Sequence, residues 1–151
     1  MRKILLFQAG LFFIFPLSVF ANTTTDCVKA DNKKVESLFD RWNESLKSGD
    51  AGKVAGNYLS DAVLLPTVSN KVRLTDAERI DYFEHFLEKK PVGTIESRTI
   101  RTGCNKAIDS GVYSFKFSDN TIVKARYTFT YAWDGQDWKI SSHHSSAMPE
   151  S

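Results

Sequence analysis

Near its C-terminus the chain reads ISSHHSS, two adjacent histidines, His143 and His144, between two pairs of serines. Histidine beside serine is the pairing of a nucleophile with its base, and neighbouring imidazoles are a common beginning of a metal site; either would make the chain an enzyme. Strand geometry argues against both. The segment reads as a strand, where successive side chains point to opposite faces, so His143 and His144 cannot hold the same ion. The one other histidine is His85, and no carboxylate stands at ligand spacing, so no metal and no cofactor are expected. Ser142 and His144 share a face, but at i and i+2 their β-carbons lie roughly 7 Å apart, and no glycine elbow presents either serine. What remains is one histidine facing inward as a neutral hydrogen-bonding or proton-transfer group and one facing outward into an interface. Alternation does not say which is which.

The other groups capable of chemistry are arginines, aromatics and a few acids. In TIVKARYTFTYAW, alternation puts Val123, Ala125, Tyr127, Phe129, Tyr131 and Trp133 on one face and Lys124, Arg126, Thr128 and Thr130 on the other. In IESRTIRTG, Arg98, Ile100 and Thr102 share one face, Thr99, Arg101 and Gly103 the other, so at most one of these two arginines points inward. Asp109 and Glu96 are the strand acids, with Asp109 close to Gly111, where a bend or strand edge is expected. Asp61 opens an early strand; it is a candidate general base if burial raises its pKa, with a strand-capping role as the plainer alternative. His85 falls away from the apolar face of its helix and reads as a solvated side chain.

These groups must be positioned by the elements around them. Arg2 and Lys3, an apolar run from Ile4 to Phe15, and small residues at Val19 and Ala21 form a signal segment, residues 1–21, with cleavage expected after Ala21. That run is too short to span a membrane, and no later segment is apolar enough, so no membrane association is expected after cleavage. The excess of 20 basic over 18 acidic residues is the signal's own Arg2 and Lys3. The remainder is balanced and interspersed, which leaves no footprint for nucleic acid or a polybasic membrane patch. Cys27 and Cys104, in a chain sent to an oxidising compartment, are expected to form a disulfide. Residues 22–30 read as a polar arm held by that bond, and residues 31–151 as one domain.

Within the domain, Val35, Leu38, Phe39, Trp42 and Leu46 recur at helical spacing over about residues 31–48, and Gly49 ends that helix. Asp50 caps a second, shorter helix predicted to run to about Tyr58. DAVLLPT follows as a short strand stopped at Pro66. Thr75 and Glu78 make a capping box that opens a third helix, ending before Pro91, with Ile80, Phe83, Phe86 and Leu87 on its core face. After Pro91 the period becomes two. TIESRTIRTG, KAIDSGVYSFKF, TIVKARYTFTYAW and DWKISSHHSS read as four hairpin-linked strands, with tight connections at SDN and DGQD. The fold class is α+β: three N-terminal helices packed on a strongly curved antiparallel sheet.

LFDRWNESLKSGDAGKVAGNYLSDAVLLPTVS, DYFEHFL and YAWDGQDWKISSHHSSAMPE, in that order, resemble the association (hub) domain of calcium/calmodulin-dependent protein kinase II and its free-standing bacterial relatives. These belong to the nuclear transport factor 2-like superfamily, with its polyketide-cyclase-like (SnoaL-like) and ketosteroid-isomerase-like members. The resemblance implies a cone-shaped cavity between the helices and the sheet, and a homodimer or higher homo-oligomer. Because the cone serves isomerases, dehydratases, hydrolases, binding proteins and assembly modules, the fold does not give the function. If the polar rows face the cone, Arg126 and Arg101 supply a charge for an anion, Arg101 preferred over Arg98 because Ile95 and Thr99 accompany it; if they face outward, these are surface or interface residues. Trp42 and Tyr58, one on each early helix, are placed to line the cavity or to be ordinary core. The expectation is therefore an exported, periplasmic or secreted, self-associating domain. It would bind a small polar or anionic molecule through Trp42, Tyr58, Arg101, Arg126, and His143 or His144. The alternatives are an isomerase, dehydratase or hydrolase using a pocket histidine, or an assembly module with no ligand.

Overall fold

The computed structural model describes residues 26–67 and 69–149; the signal segment and the first residues of the arm lie outside them. Two helices come first, α1 (Asn32–Lys47) and α2 (Ala51–Ala55), then a strand, β1 (Tyr58–Leu65), and a third helix, α3 (Asp76–Leu87). Four strands complete the chain: β2 (Val92–Gly103), β3 (Lys106–Lys116), β4 (Ile122–Trp133) and β5 (Trp138–Ala147).

Each helix begins where a side chain replaces a missing backbone partner. Asp31 accepts from Lys34 N and Asp50 from Lys53 N, and Thr75 with Glu78 forms the full capping box. All five apolar residues read from the spacing of α1 are buried: Val35, Leu38, Phe39, Trp42 and Leu46. Gly49 ends this segment at a φ of 67°, a conformation costly for any residue with a Cβ. The second helix is shorter than expected. Asn57 Nδ2 donates to the carbonyls of Lys53 and Val54, closing the helix, and the next residue, Tyr58, pairs with Ile140 as the first residue of β1.

The strand order is β1-β5-β4-β3-β2. Strands β2 to β5 form antiparallel hairpin pairs, whereas β1 runs parallel to β5. The sheet is thus antiparallel-rich rather than wholly antiparallel, and only α1 and α2 precede it; α3 enters after the first strand. A parallel pair requires a long crossover, and here α3 and three strands supply it. The helices cover one face of the curved sheet, where Ala125, Tyr127, Phe129 and Tyr131 of β4 are buried and Trp42 meets Phe129 edge-on at 5.4 Å.

Three irregularities decide which side chains enter the interior. In β2 the register shifts between Ile95 and Ser97, and in β5 Ser141 is the extra residue between Ile140 and Ser142, so alternation changes parity at both places. Opposite the β2 bulge, the carbonyl oxygen of Ser97 lies 2.0 Å from where a Cβ on Gly111 would stand. A Gly111→Ala variant is therefore expected to lose about 1–3 kcal/mol, because backbone rather than a mobile side chain must move; a denaturation midpoint unchanged from wild type would refute this reading. The third irregularity lies in β1, between Tyr58 and Val63. The carbonyls of Leu59, Ser60 and Ala62 in this stretch accept from the guanidinium of Arg79, at 3.1, 2.9 and 2.6 Å. Arg79 is completely buried, on a helix position that periodicity alone would have given to an apolar residue.

Cys27 and Cys104 are disulfide-bonded. The arm is pinned beside the bond, with Val28 N donating to Asn105 Oδ1 at 2.8 Å and Asn105 N donating to the Val28 carbonyl at 2.9 Å. Intact-mass measurement of purified protein, with and without reductant after thiol alkylation, should show two alkylated cysteines only after reduction. Two free thiols in the native protein would refute the bond.

Candidate functional site

Between α3, the end of β1 and the inner face of β3 to β5 lies a cavity of about 600 Å³. Its deep wall is aromatic, built from Trp42, Phe83, Tyr113 and Phe115, while Thr67, Ser145 and His143 supply polar atoms. The rim is charged: Arg73, Asp81, His85 and Lys89 surround the opening.

His143 is the inward histidine and is only 4% exposed; His144 is exposed on the opposite face. The bulge at Ser141 is the reason. Without it, the buried positions Trp138 and Ile140 would have continued to Ser142 and His144. The imidazole of His143 stacks on Phe129, ring centroids 3.9 Å apart, and meets Trp42 edge-on at 5.4 Å. Its Nδ1 lies 2.9 Å from Tyr58 Oη and its Nε2 lies 3.3 Å from Tyr113 Oη. Trp42 Nε1 donates to Tyr58 Oη at 3.1 Å. Ser145 Oγ, two residues beyond His143 on the same face, hydrogen-bonds Thr67 Oγ1.

Burial governs the electrostatics of this group. Loss of solvation, aided by the neighbouring His144, lowers the His143 pKa to about 3, so the ring is neutral across the physiological range. Burial raises Tyr58 and Tyr113 well above the ordinary phenol value, and hydrogen bonds from Trp42 and Ser145 respectively only partly oppose it. The site consists of uncharged donors and acceptors in an apolar shell, with charge confined to the rim.

Trp42 lines the cavity, whereas Tyr58, which arrives from β1 and not from a helix, stands behind that wall and accepts from Trp42 Nε1. The two arginine candidates are not there. Arg126 is exposed because the aromatic row of β4 faces the helices, which turns the polar row of Lys124, Arg126 and Thr128 to the other side. Arg101 is exposed because the β2 bulge breaks the alternation that linked it to Ile95. The same bulge turns Arg98 inward, away from the cavity, where Nη2 lies 2.9 Å from Oδ2 of the completely buried Asp109. Tyr127 Oη donates to the same carboxylate at 2.9 Å. Burial raises the Asp109 pKa, opposed in part by Tyr127 and Arg98. Asp61 is exposed in the irregular stretch of β1 and does not line the cavity. His85 is exposed but stands on the rim, its Nδ1 2.8 Å from the Asp81 carbonyl. Among the described residues no group of three or more His, Cys, Asp or Glu side chains is arranged to hold a metal ion.

Thr67, Tyr113, Ser145 and the rim residue Arg73 were not singled out from sequence. Ser145 and Tyr113 could have been found by extending alternation from a known inward residue on each strand; Thr67 and Arg73 belong to the irregular connection between β1 and α3, which carries no periodic signal.

The model of the calcium/calmodulin dependent protein kinase II association domain matches residues 31–149. A Xanthomonas campestris protein assigned to that domain, solved at 1.70 Å, is 46% identical, with a TM-score of 0.77 over 81% of this chain and 91% of its own. A nuclear transport factor 2-like protein of unknown function from Pseudomonas putida KT2440 shares the fold at 16% identity, TM-score 0.69, covering 78% of this chain and 87% of that one. A cyanobacterial iota-carbonic anhydrase, solved with bicarbonate, does so at 17% identity, TM-score 0.72, covering 81% and 94%. No curated protein sequence matches the chain.

Proposed function

Because the chain belongs to the calcium/calmodulin dependent protein kinase II association domain family, we propose that it is an exported, self-associating domain whose cavity takes a small polar or anionic molecule. The observation that carries the binding half is the Tyr113, Ser145, Thr67 and His143 set, neutral hydrogen-bonding groups on the wall of a cavity otherwise aromatic. A few placed polar groups in an apolar concavity are what small-molecule recognition requires. Arg73 and Lys89 at the rim favour an incoming negative charge. Family membership supports self-association. Export is supported by the N-terminal segment and by the disulfide, a bond that persists in oxidising compartments. Among the described residues no helix is long and apolar enough to cross a membrane.

An isomerase, dehydratase or hydrolase with His143 as general base has less support. A base with a pKa of about 3 is weak near neutral pH, where proton abstraction works best with a pKa near the operating value. Bicarbonate is a sensible first probe because the cyanobacterial fold neighbour holds it.

Thermal-shift measurements with bicarbonate and a library of small carboxylates are expected to give a ligand that stabilises the wild type. The shift should vanish in Ser145→Ala or Thr67→Ala and persist in the exposed controls Arg101→Ala and Arg126→Ala. No shift across the library would leave the assembly module without a ligand as the better reading, and turnover of a bound compound, carbon dioxide hydration included, would promote the enzyme. Light scattering at micromolar concentration should show a dimer or larger species, and a monomer would count against self-association.

A further inference from the structure

Where charge stands in the cavity constrains how a ligand can lie in it. On the deep wall the polar groups already have protein partners: His143 is engaged through both ring nitrogens, by Tyr58 and Tyr113, and Ser145 Oγ hydrogen-bonds Thr67 Oγ1. None of them is ionised near neutral pH, His143 because burial holds its pKa at about 3. The interior thus offers a neutral group a hydrogen bond and offers a carboxylate no countercharge, so an anion drawn down to it would lose its hydration without compensation. The mouth is different. Arg73, whose side chain is only 12% exposed, is fixed there by paired main-chain bonds with Leu64, both 3.0 Å. Its guanidinium lies 5.8 Å from the centroid of the Tyr82 ring, which also lines the cavity. It commits Nη1 to Asp81 at 2.6 Å, a carboxylate that is 57% exposed and shared with water, while its Nε is buried with no hydrogen-bond partner among the described residues. The cavity itself, about 600 Å³, lies in the range of pockets that enclose whole drug-sized ligands, far more than bicarbonate or acetate fills.

We infer that Arg73 is the specificity-determining residue of the cavity, and that the ligand is an amphiphilic monocarboxylate held head outward, its carboxylate on Arg73 at the mouth and its apolar body against Trp42, Phe83 and Phe115. This rests on the reading that the cavity binds a small molecule, and it assigns the two ends of that molecule to two parts of the site. Arginine can only donate, so the head it takes must accept, and its planar fork matches a carboxylate. Asp81 is the head's competitor for the guanidinium. The Ser145–Thr67 hydroxyls, which serve as donor or acceptor alike, are left for a neutral polar substituent on the body.

Straight-chain carboxylates from acetate to octanoate, titrated calorimetrically, are the probes. Affinity should rise about fourfold with each added methylene, the effect of taking one such group out of water. Octanamide keeps the body and lacks the charge, and should bind at least roughly tenfold more weakly than octanoate, the scale of a lost charge-assisted hydrogen bond. Arg73→Gln should cost octanoate a similar factor and octanamide nothing. Because Arg73 is largely buried and that variant can fail to fold, Asp81→Asn at its exposed position is the second: it frees the guanidinium and should tighten octanoate several-fold without changing octanamide. Intermolecular nuclear Overhauser effects should join the terminal methyl of octanoate to ring protons of Trp42 or Phe115. Octanoate binding no tighter than acetate overturns the inference and leaves the binding reading standing. Octanamide binding as tightly as octanoate, or an Asp81→Asn variant with unchanged octanoate affinity, overturns the assignment to Arg73. Silence from every carboxylate here and every compound of the thermal-shift library overturns the inference and the binding reading together.

Discussion

Replacing Arg79 by alanine should destabilise the domain by about 3–5 kcal/mol. Three main-chain carbonyls, those of Leu59, Ser60 and Ala62, have their guanidinium donor removed in one step, and a buried acceptor without a partner costs roughly 1–3 kcal/mol. Part of that cost returns through water reaching Leu59 and Ser60, which are not fully buried, so the sum stays below three full penalties. The ion pair with Asp76 adds little, because that carboxylate is 62% exposed and solvent takes over its hydration. Arg79→Met separates the terms: it fills most of the volume while supplying no donors, so it should recover only the packing share. Lysine offers one compact charge where the planar fork reaches three carbonyls, and should also fall short. Urea unfolding monitored by tryptophan fluorescence is the measurement. A loss below about 1 kcal/mol for both Arg79→Ala and Arg79→Met would mean that the bulged part of β1 is held by something else.

The second large effect is a pH dependence with a definite sign. His143 has a folded pKa lowered to about 3 from 6.5. The unfolded chain therefore binds a proton below pH 6.5 that the folded one refuses until about pH 3, and stability is lost as pH falls through that window. At its steepest the loss is about 1.4 kcal/mol per pH unit, or about 3 kcal/mol between pH 7 and pH 4. Asp109 works in the opposite sense: its raised pKa makes the folded state bind its proton more readily than the unfolded state does, a contribution present at low pH and lost as pH rises. Comparison with His143→Gln isolates the histidine term. The amide can accept from Tyr58 and donate to Tyr113 without titrating, so the gap between the two proteins should narrow by about 3 kcal/mol from pH 7 to pH 4. Parallel curves would show that burial does not set the protonation of this ring.

Much of the fold was legible because it follows from regular periods. The stripe from Val35 to Leu46, the Thr75–Glu78 box and the alternation of the four long strands depend on local geometry alone. The site was only half legible, since it depends on places where those periods break. Adding one residue at Ser141 puts His143 rather than His144 at the cavity, and the register shift at Ile95 turns Arg98 rather than Arg101 inward, to Asp109 and away from the cavity. A bulge leaves little mark in a single sequence, and Gly111, which accommodates the Ser97 backbone, reads just as well as a bend. Arg79 was unreadable for another reason: a buried arginine is tolerated only where unpaired carbonyls await it, and those arise from an irregularity in a strand some 20 residues earlier.

The parallel pairing of β1 with β5 also has a consequence for when the cavity comes into being. Tyr58 and His143, whose hydrogen bond fixes the imidazole from behind the cavity wall, are separated by 85 residues, and His143 lies on the last strand among the described residues. The hairpins of β2, β3 and β4 can form from neighbouring segments, but the His143 wall must wait until the C-terminal strand is inserted between β4 and β1. Closing so long a loop is slow, because its entropy is lost before the contacts that compensate it are made. The site is thus the last part of the domain to be completed, and a chain interrupted before Trp138 would carry the helices, β1 and three hairpin strands yet lack His143, Ser145 and the strand that joins β4 to β1.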